Sequence, residues 1–263
     1  MEKVTLDISW QPWKRTDHYV TKILKYIEEP FDKEAKANDM FEKYYDDPSS
    51  KYYHMTAQEI QDMWEAAVTR AQIIGHALDD YIGLRVEPES MLMTMDEWML
   101  SYGDDETIMK VVKGWEAYWI RLENLGYKFV CRERYLHRVS DGISVRGRFD
   151  MVVYYPPLDC VVIIDWKTSD AITSEKKYYG LKGPVWVQML PKEKLTMYGL
   201  QTNAYRWMLT PLCNHPYKVV TLVVQIDKEG EAHAYKNAVK YDDASMERLL
   251  QWCVLENKKN PRE

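Results

Sequence analysis

Cysteine is scarce. Cys131, Cys160, Cys213 and Cys253 are the only four in 263 residues, with no CxxC pair and no metal-ligand spacing. They read as reduced thiols of a cytoplasmic protein. No apolar run approaches the length of a membrane span, so no membrane partner is expected. Met1-Glu-Lys-Val-Thr-Leu-Asp lacks the apolar core of a secretory signal. No Gly-x-x-x-x-Gly-Lys-Ser/Thr loop is present, which excludes a P-loop motor in this chain. Phenylalanine is nearly missing, with four against 20 Tyr and ten Trp, so the aromatic content is skewed toward rings with a polar handle. Positive charge is in deficit, with 35 Lys and Arg against 41 Asp and Glu and a net charge of -6, which lowers non-specific affinity for a polyanion. There is no internal repeat, low-complexity tract or obvious flexible linker.

A hydrophobic content of 46% is enough for a proper core. The length fits one large domain, or one domain with an N-terminal elaboration. Residues 1–55 are expected to be that elaboration, packed on the core, and 56–263 the domain itself. The N-terminal part carries Trp10, Pro12, Trp13, Lys14 and Arg15, then a predicted helix over 18–28. Thr56-Ala57-Gln58-Glu59 is a capping box and opens a predicted helix over 56–83. Ile60, Trp64, Ala67, Ala71, Ile74, Leu78 and Tyr81 form its apolar stripe. Residues 84–104 read as Met-rich and irregular, and 105–125 as a helix ending at Gly126. Strands are predicted over 127–137, 144–155 and 160–167 as a meander, and helix over 192–209. Strands over 218–226 and 231–240 and a helix over 243–258 close the chain.

The hairpin 144–167 carries the chemistry. Pro156, Pro157, Leu158 and Asp159 suit the turn, because proline fixes φ and cannot donate to a ladder. If Tyr155 pairs with Cys160, Asp150 lies opposite Asp165, and Lys167 shares their face. Like charges at a directly opposed pair are destabilising, and a divalent cation between them removes the repulsion. Val161 to Ile164 run straight into Asp165, as in a strand covered on both faces. A carboxylate at the end of such a strand is costly without compensation. The alternative is an ordinary solvated Asp-x-Lys face.

In the helix over 192–209, Gln201 and Tyr205 are four apart, and Lys194 and Tyr198 extend the same stripe. That surface suits a phosphate backbone; the competing reading makes the two tyrosines core residues with hydroxyls at the rim. His76 lies off the apolar stripe of its helix, near Thr69, Gln72 and Asp80, and Gly75 before it suggests close backbone approach. Glu133 either lines the site or pairs with a neighbouring arginine.

In this order and spacing, Gly147-Arg148-Phe149-Asp150, Asp165-Trp166-Lys167, and Gln201 with Tyr205 resemble the PD-(D/E)XK nuclease superfamily, in its RecB-like and phage-exonuclease-like branch. Gly75-His76 resembles that branch's upstream histidine. The resemblance spans about residues 56–226. It implies an α/β restriction-endonuclease-like core, a mixed central sheet flanked by helices in α-β-β-β-α-β order. It implies a Mg²⁺- or Mn²⁺-dependent deoxyribonuclease of phage or bacterial recombination and repair, an exonuclease by preference. Asp150 and Asp165 would be hard oxygen ligands, joined by His76, which tilts preference toward Mn²⁺, and by the Trp166 backbone carbonyl. Lys167 would act with Asp150 and Asp165 in catalysis, and Gln201, Tyr205, Lys194, Tyr198 and Arg148 would hold DNA. The cysteine placement argues against the iron–sulfur cluster of some members. A single-strand-annealing protein or a helicase is an implied partner. A structure-specific endonuclease and a non-catalytic nucleic-acid-binding member stay open as alternatives.

Basic residues cluster despite the net charge: Arg132, Arg134, Arg138, Arg146 and Arg148, then Lys176, Lys177 and Lys182, then Lys192 and Lys194. The connection 168–191 is long for a link. With Tyr178, Tyr179, Trp186 and Gln188 it suits either a single-strand groove or an insertion packed on the core.

Overall fold

The computed structural model describes residues 1–10, 18–169, 172–174, 178–239 and 241–261. Lys176, Lys177 and the 12–15 segment lie outside them. In chain order the elements are α1 Val20–Ile23, α2 Lys33–Tyr44, α3 Ala57–Val86, α4 Met95–Tyr102, α5 Glu106–Asn124, β1 Lys128–Arg132, β2 Tyr135–Ser140, β3 Ile143–Arg148, β4 Met151–Tyr155, β5 Cys160–Lys167, α6 Val185–Gln188, α7 Lys194–Leu209, β6 Lys218–Ile226, β7 Ala232–Lys236 and α8 Asp243–Lys259.

Five strands form one mixed sheet in the order β1-β4-β5-β6-β7. β1, β4 and β5 are antiparallel neighbours, β5 and β6 run parallel across α7, and β7 returns antiparallel. Successive side chains on a strand point to opposite faces, and β5 is covered on both. Val161 and Ile163 enter a core with α7, α8, residues 20–27 and the β2–β3 hairpin. Cys160, Val162, Ile164 and Trp166 enter a second core with α3, α4 and α5. Asp165 and Lys167 therefore belong to the α7 face, at the end of a strand buried throughout its middle.

The predicted register holds: Tyr155 pairs with Cys160 and Met151 with Ile164. The strand continuity does not. The predicted strands 127–137 and 144–155 both break, at Glu133 and at Phe149–Asp150, and β2 pairs with β3 as a separate two-stranded sheet. Glu133 takes the left-handed conformation at φ 52°, and its N–H donates to the Asp150 carbonyl at 3.0 Å. The two breaks are thus one bend, stitched across the strands. Phe149 is fully buried beyond it.

Other differences have local causes. Residues 84–104 contain α4, opened by a second capping box, in which Thr94 and Glu97 satisfy each other's backbone amides. The predicted stripe on α3 is buried only at its ends, at Ile60 and from Ile74 onward, and Ala67 and Ala71 are exposed. The first half of α3 packs on α2, a helix without a clear sequence signal, and the second half packs on α4 and α5. The close backbone approach expected at Gly75 is not found: an added Cβ there would have Thr168 Oγ1 nearest, at 3.6 Å, and the tighter glycine of α3 is Gly83, crowded by the Met91 and Arg132 side chains. The N-terminal segment divides between two settings. Residues 2–4 bond to Phe129 at the β1 edge, and Val20 to Ile27 lie inside the α7–α8 core. No helix among the described residues is long and apolar enough to cross a membrane.

Candidate functional site

The end of β5, the strand bend and α3 enclose a cavity of about 220 Å³ lined by Gly75, His76, Leu78, Asp79, Ile82, Glu133, Arg148, Asp150, Trp166, Lys167 and Thr168. Asp165 is fully buried beneath it, and Lys167 Nζ lies 2.6 Å from Asp165 Oδ2. Oδ2 is fully enclosed, and this ammonium is the partner it has there among the described residues. Asp150 sits where the broken strand leaves a gap, and its Oδ2 accepts the Trp166 N–H at 2.8 Å. Its carboxylate takes over an amide that a continued ladder would have satisfied.

Burial, and after it the Asp165 charge, pushes the Asp150 carboxyl well above the usual carboxylate range; Lys167 and the Trp166 amide offset only part of this. For Lys167 burial opposes the charged form, but the Asp165 and Asp150 carboxylates outweigh it and hold the ammonium above its ordinary range. Lys167 Nζ also lies 4.9 Å from the centre of the Tyr198 ring, a cation–π contact.

α7 braces this arrangement from below. Gln201 Nε2 points to Asp165 Oδ1 at 3.4 Å and donates to the Tyr205 hydroxyl at 2.8 Å. Tyr205 is 1% exposed, and burial, followed by the Asp165 charge, keeps its hydroxyl protonated well above the ordinary range. This corrects the expectation that Tyr205 contacts DNA: its ring is core, and its hydroxyl orients Gln201 toward a carboxylate. Gly147 permits that packing, because an added Cβ would stand 2.4 Å from Tyr205 Cε1. Lys194 and Tyr198 keep partly exposed positions at the head of the helix.

Glu133 combines both roles left open for it. It lines the cavity and pairs with Arg148, Nε to Oε2, at 2.7 Å. Burial, then the Asp79 charge, lifts its carboxyl to about 7 against the pull of Arg148 and Arg132. The basic cluster is largely spent inside the fold. Arg132 is bonded to Asp79, Arg138 donates to the Trp207 carbonyl, and Arg146 is buried against the Tyr19 ring. Arg148 is 52% exposed at the cavity rim, and Arg134 is exposed beside Trp10. Asp79 was missed in the sequence. It lies three residues after His76 on the same helix, a spacing that could have pointed to it.

His76 is exposed on the cavity wall. Among the described residues no three His, Cys, Asp or Glu side chains already converge as a metal cluster. The fit to a divalent ion rests on Asp150 and Asp165. They are two hard oxygen donors at the end of the hairpin, Asp165 fully buried and Asp150 held above its normal range by burial and by the Asp165 charge, a repulsion that a divalent cation would relieve. One or two carboxylates with waters and phosphate oxygens are the usual protein share of a Mg²⁺ site, so the donor set fits.

The sequence signature of the PD-(D/E)XK nuclease superfamily matches residues 28–259. The chain belongs to that superfamily. Its members generally use divalent metal ions. No curated protein matches the sequence. Among solved structures, the chain is similar to a provisionally named exonuclease from Eubacterium rectale, at 14% identity and a TM-score of 0.44, covering 72% of this chain and 65% of that one. It is also similar to the protein SSO0001, at 14% identity and a TM-score of 0.34, covering 74% of this chain and 89% of that one. The chain thus spans slightly under two thirds of the Eubacterium rectale protein.

The Gln201–Tyr205 brace gives a direct expectation. Tyr205→Phe keeps the ring in its packed place and removes only the oxygen that Gln201 bonds. Cleavage should fall by about tenfold, because Tyr205 acts on Asp165 only through Gln201. The melting temperature should move little. Unchanged cleavage would return Tyr205 to a packing role alone.

Proposed function

We propose that this nuclease hydrolyses DNA phosphodiester bonds with Mg²⁺ or Mn²⁺, as an exonuclease of the recombination or repair type. The observation that supports it most is the floor of the cavity, where Asp165 and Lys167 pair at 2.6 Å with Asp150 bonded across to Trp166. In this reading Asp150 and Asp165 hold the cation, with His76 and the Trp166 carbonyl as further donors. The bound ion would neutralise the phosphodiester and lower the pKa of a water. Lys167 orients that water and stabilises charge developing on the phosphorus oxygens. Gln201 fixes Asp165, and Tyr205 fixes Gln201. Arg148, held at the rim by Glu133, meets a non-bridging phosphate oxygen, and Lys194 and Tyr198 guide the strand away from the cut. An annealing protein or a helicase would be the natural supplier of such a strand.

Time-resolved digestion of end-labelled single- and double-stranded DNA tests this. Mononucleotides released from one end, only with Mg²⁺ or Mn²⁺ and not after chelation, are the expected products. Internal fragments appearing first would replace the exonuclease assignment with an endonuclease on the same centre.

A further inference from the structure

Beside the cavity, at the head of α7, lies a groove of about 580 Å³ lined by Tyr178, Lys192, Lys194, Met197 and Tyr198, with Glu28 and Glu193. Tyr198 lines it, and Lys167 Nζ lies 4.9 Å from the centre of the same ring, so the groove adjoins that ammonium through Tyr198. Its outer wall is Tyr178, 61% exposed. The Tyr178 carbonyl accepts the Lys192 N–H, which ties this loop to the start of α7. Glu193 accepts the Ser174 N–H at 3.0 Å. Two lysines and two carboxylates balance, so nothing in the lining favours a phosphate chain by net charge. Two aromatic side chains and the Met197 thioether instead favour a flat apolar partner.

We propose that this groove seats an unpaired nucleobase of the substrate strand, next to the scissile phosphate, and so directs the site to single-stranded or frayed DNA. The proposal rests on the nuclease reading. Aromatic stacking accepts any base, because every base has a π-face. A paired base is stacked within its duplex and cannot enter. The balanced lining adds a signature: affinity gained by stacking carries no counterion release, whereas affinity gained from lysines changes the salt slope.

The test uses an oligodeoxynucleotide carrying 2-aminopurine at its end, bound by the full chain in Ca²⁺ to suppress turnover. The single strand should show quenched fluorescence on binding, and the blunt duplex should not. Tyr178→Ala should abolish the quenching and weaken single-strand binding about fivefold to a hundredfold. The slope of log affinity against log salt should stay unchanged. Wild-type affinity in Tyr178→Ala, a changed salt slope, or equal quenching by the blunt duplex overturns the groove assignment. If the wild-type chain still cleaves DNA in Mg²⁺, the nuclease reading survives that result. Failure of the wild-type chain to cleave any DNA form in Mg²⁺ or Mn²⁺ overturns the nuclease reading and the groove with it.

Discussion

Asp165→Asn should reduce metal-dependent cleavage by about 10³-fold or more, beyond the loss typical of a single preorganised donor. Asparagine keeps the shape and removes the charge on which both the cation and Lys167 depend. The same change should cost stability. Asp165 is fully buried and Lys167 is paired with it, and breaking a buried pair leaves an uncompensated charge. The expected loss lies near the low end of about 3–5 kcal/mol, because the Asp150 carboxylate remains close enough to attract Lys167. Asp150→Asn should separate the two effects. It should lose cleavage as fully, yet hold or gain stability, since it removes a desolvated carboxylate that repels Asp165. Initial rates in Mg²⁺ and thermal melts of both variants check this pair. Wild-type cleavage in either variant would move the centre elsewhere.

Gly114→Ala should be strongly destabilising, since this is the glycine where an added Cβ meets its nearest atom at the shortest distance. An added Cβ would stand 2.0 Å from the Gly230 carbonyl oxygen and 2.7 Å from its carbon. Both partners are backbone, so no side chain can rotate away. Gly230 holds a left-handed φ of 86°, with the Lys110 carbonyl against it, and so cannot retreat into α5. The turn between β6 and β7 would have to lift off that helix. A loss near the upper end of the overpacking range, about 3 kcal/mol, corresponds to a fall of about 6–12 °C in melting temperature for a chain of this size. Cleavage per folded molecule should be largely kept, because neither Gly114 nor Gly230 lines the cavity. A variant that melts within about 1 °C of wild type would show that the turn is free to move.

Much of the centre could be read from residue spacing, because a hairpin register is a local rule. The Pro156–Asp159 turn sets Tyr155 against Cys160, and the constant sum runs to Met151 opposite Ile164, one residue short of Asp150 and Asp165. The bend at Glu133 could not be read, since it depends on a left-handed residue and a hydrogen bond to Asp150, both settled across strands. Tyr205 looked like a surface contact because α7 lacks a one-sided apolar stripe. The helix is enclosed by sheet and α8 together, so its buried residues run around it. The fate of the arginine cluster could not be read, because proximity in sequence says nothing of partners; Asp79, Trp207 and Tyr19 claim three of its members. Gly114 gave no signal, as its partner is a turn far along the chain.

In the proposed mechanism Lys167 acts on the developing charge of the reaction and not on binding. An interaction stronger in the transition state than in the ground state raises the rate without tightening the substrate. The measurement is the cleavage rate of Lys167→Ala in Mg²⁺ beside its DNA affinity in Ca²⁺. A rate lower by roughly 10² or more with affinity within about twofold of wild type is the expected result. Rate and affinity falling in proportion would contradict the account, leaving Lys167 a contact to the phosphate backbone and Asp165-Trp166-Lys167 without its catalytic role.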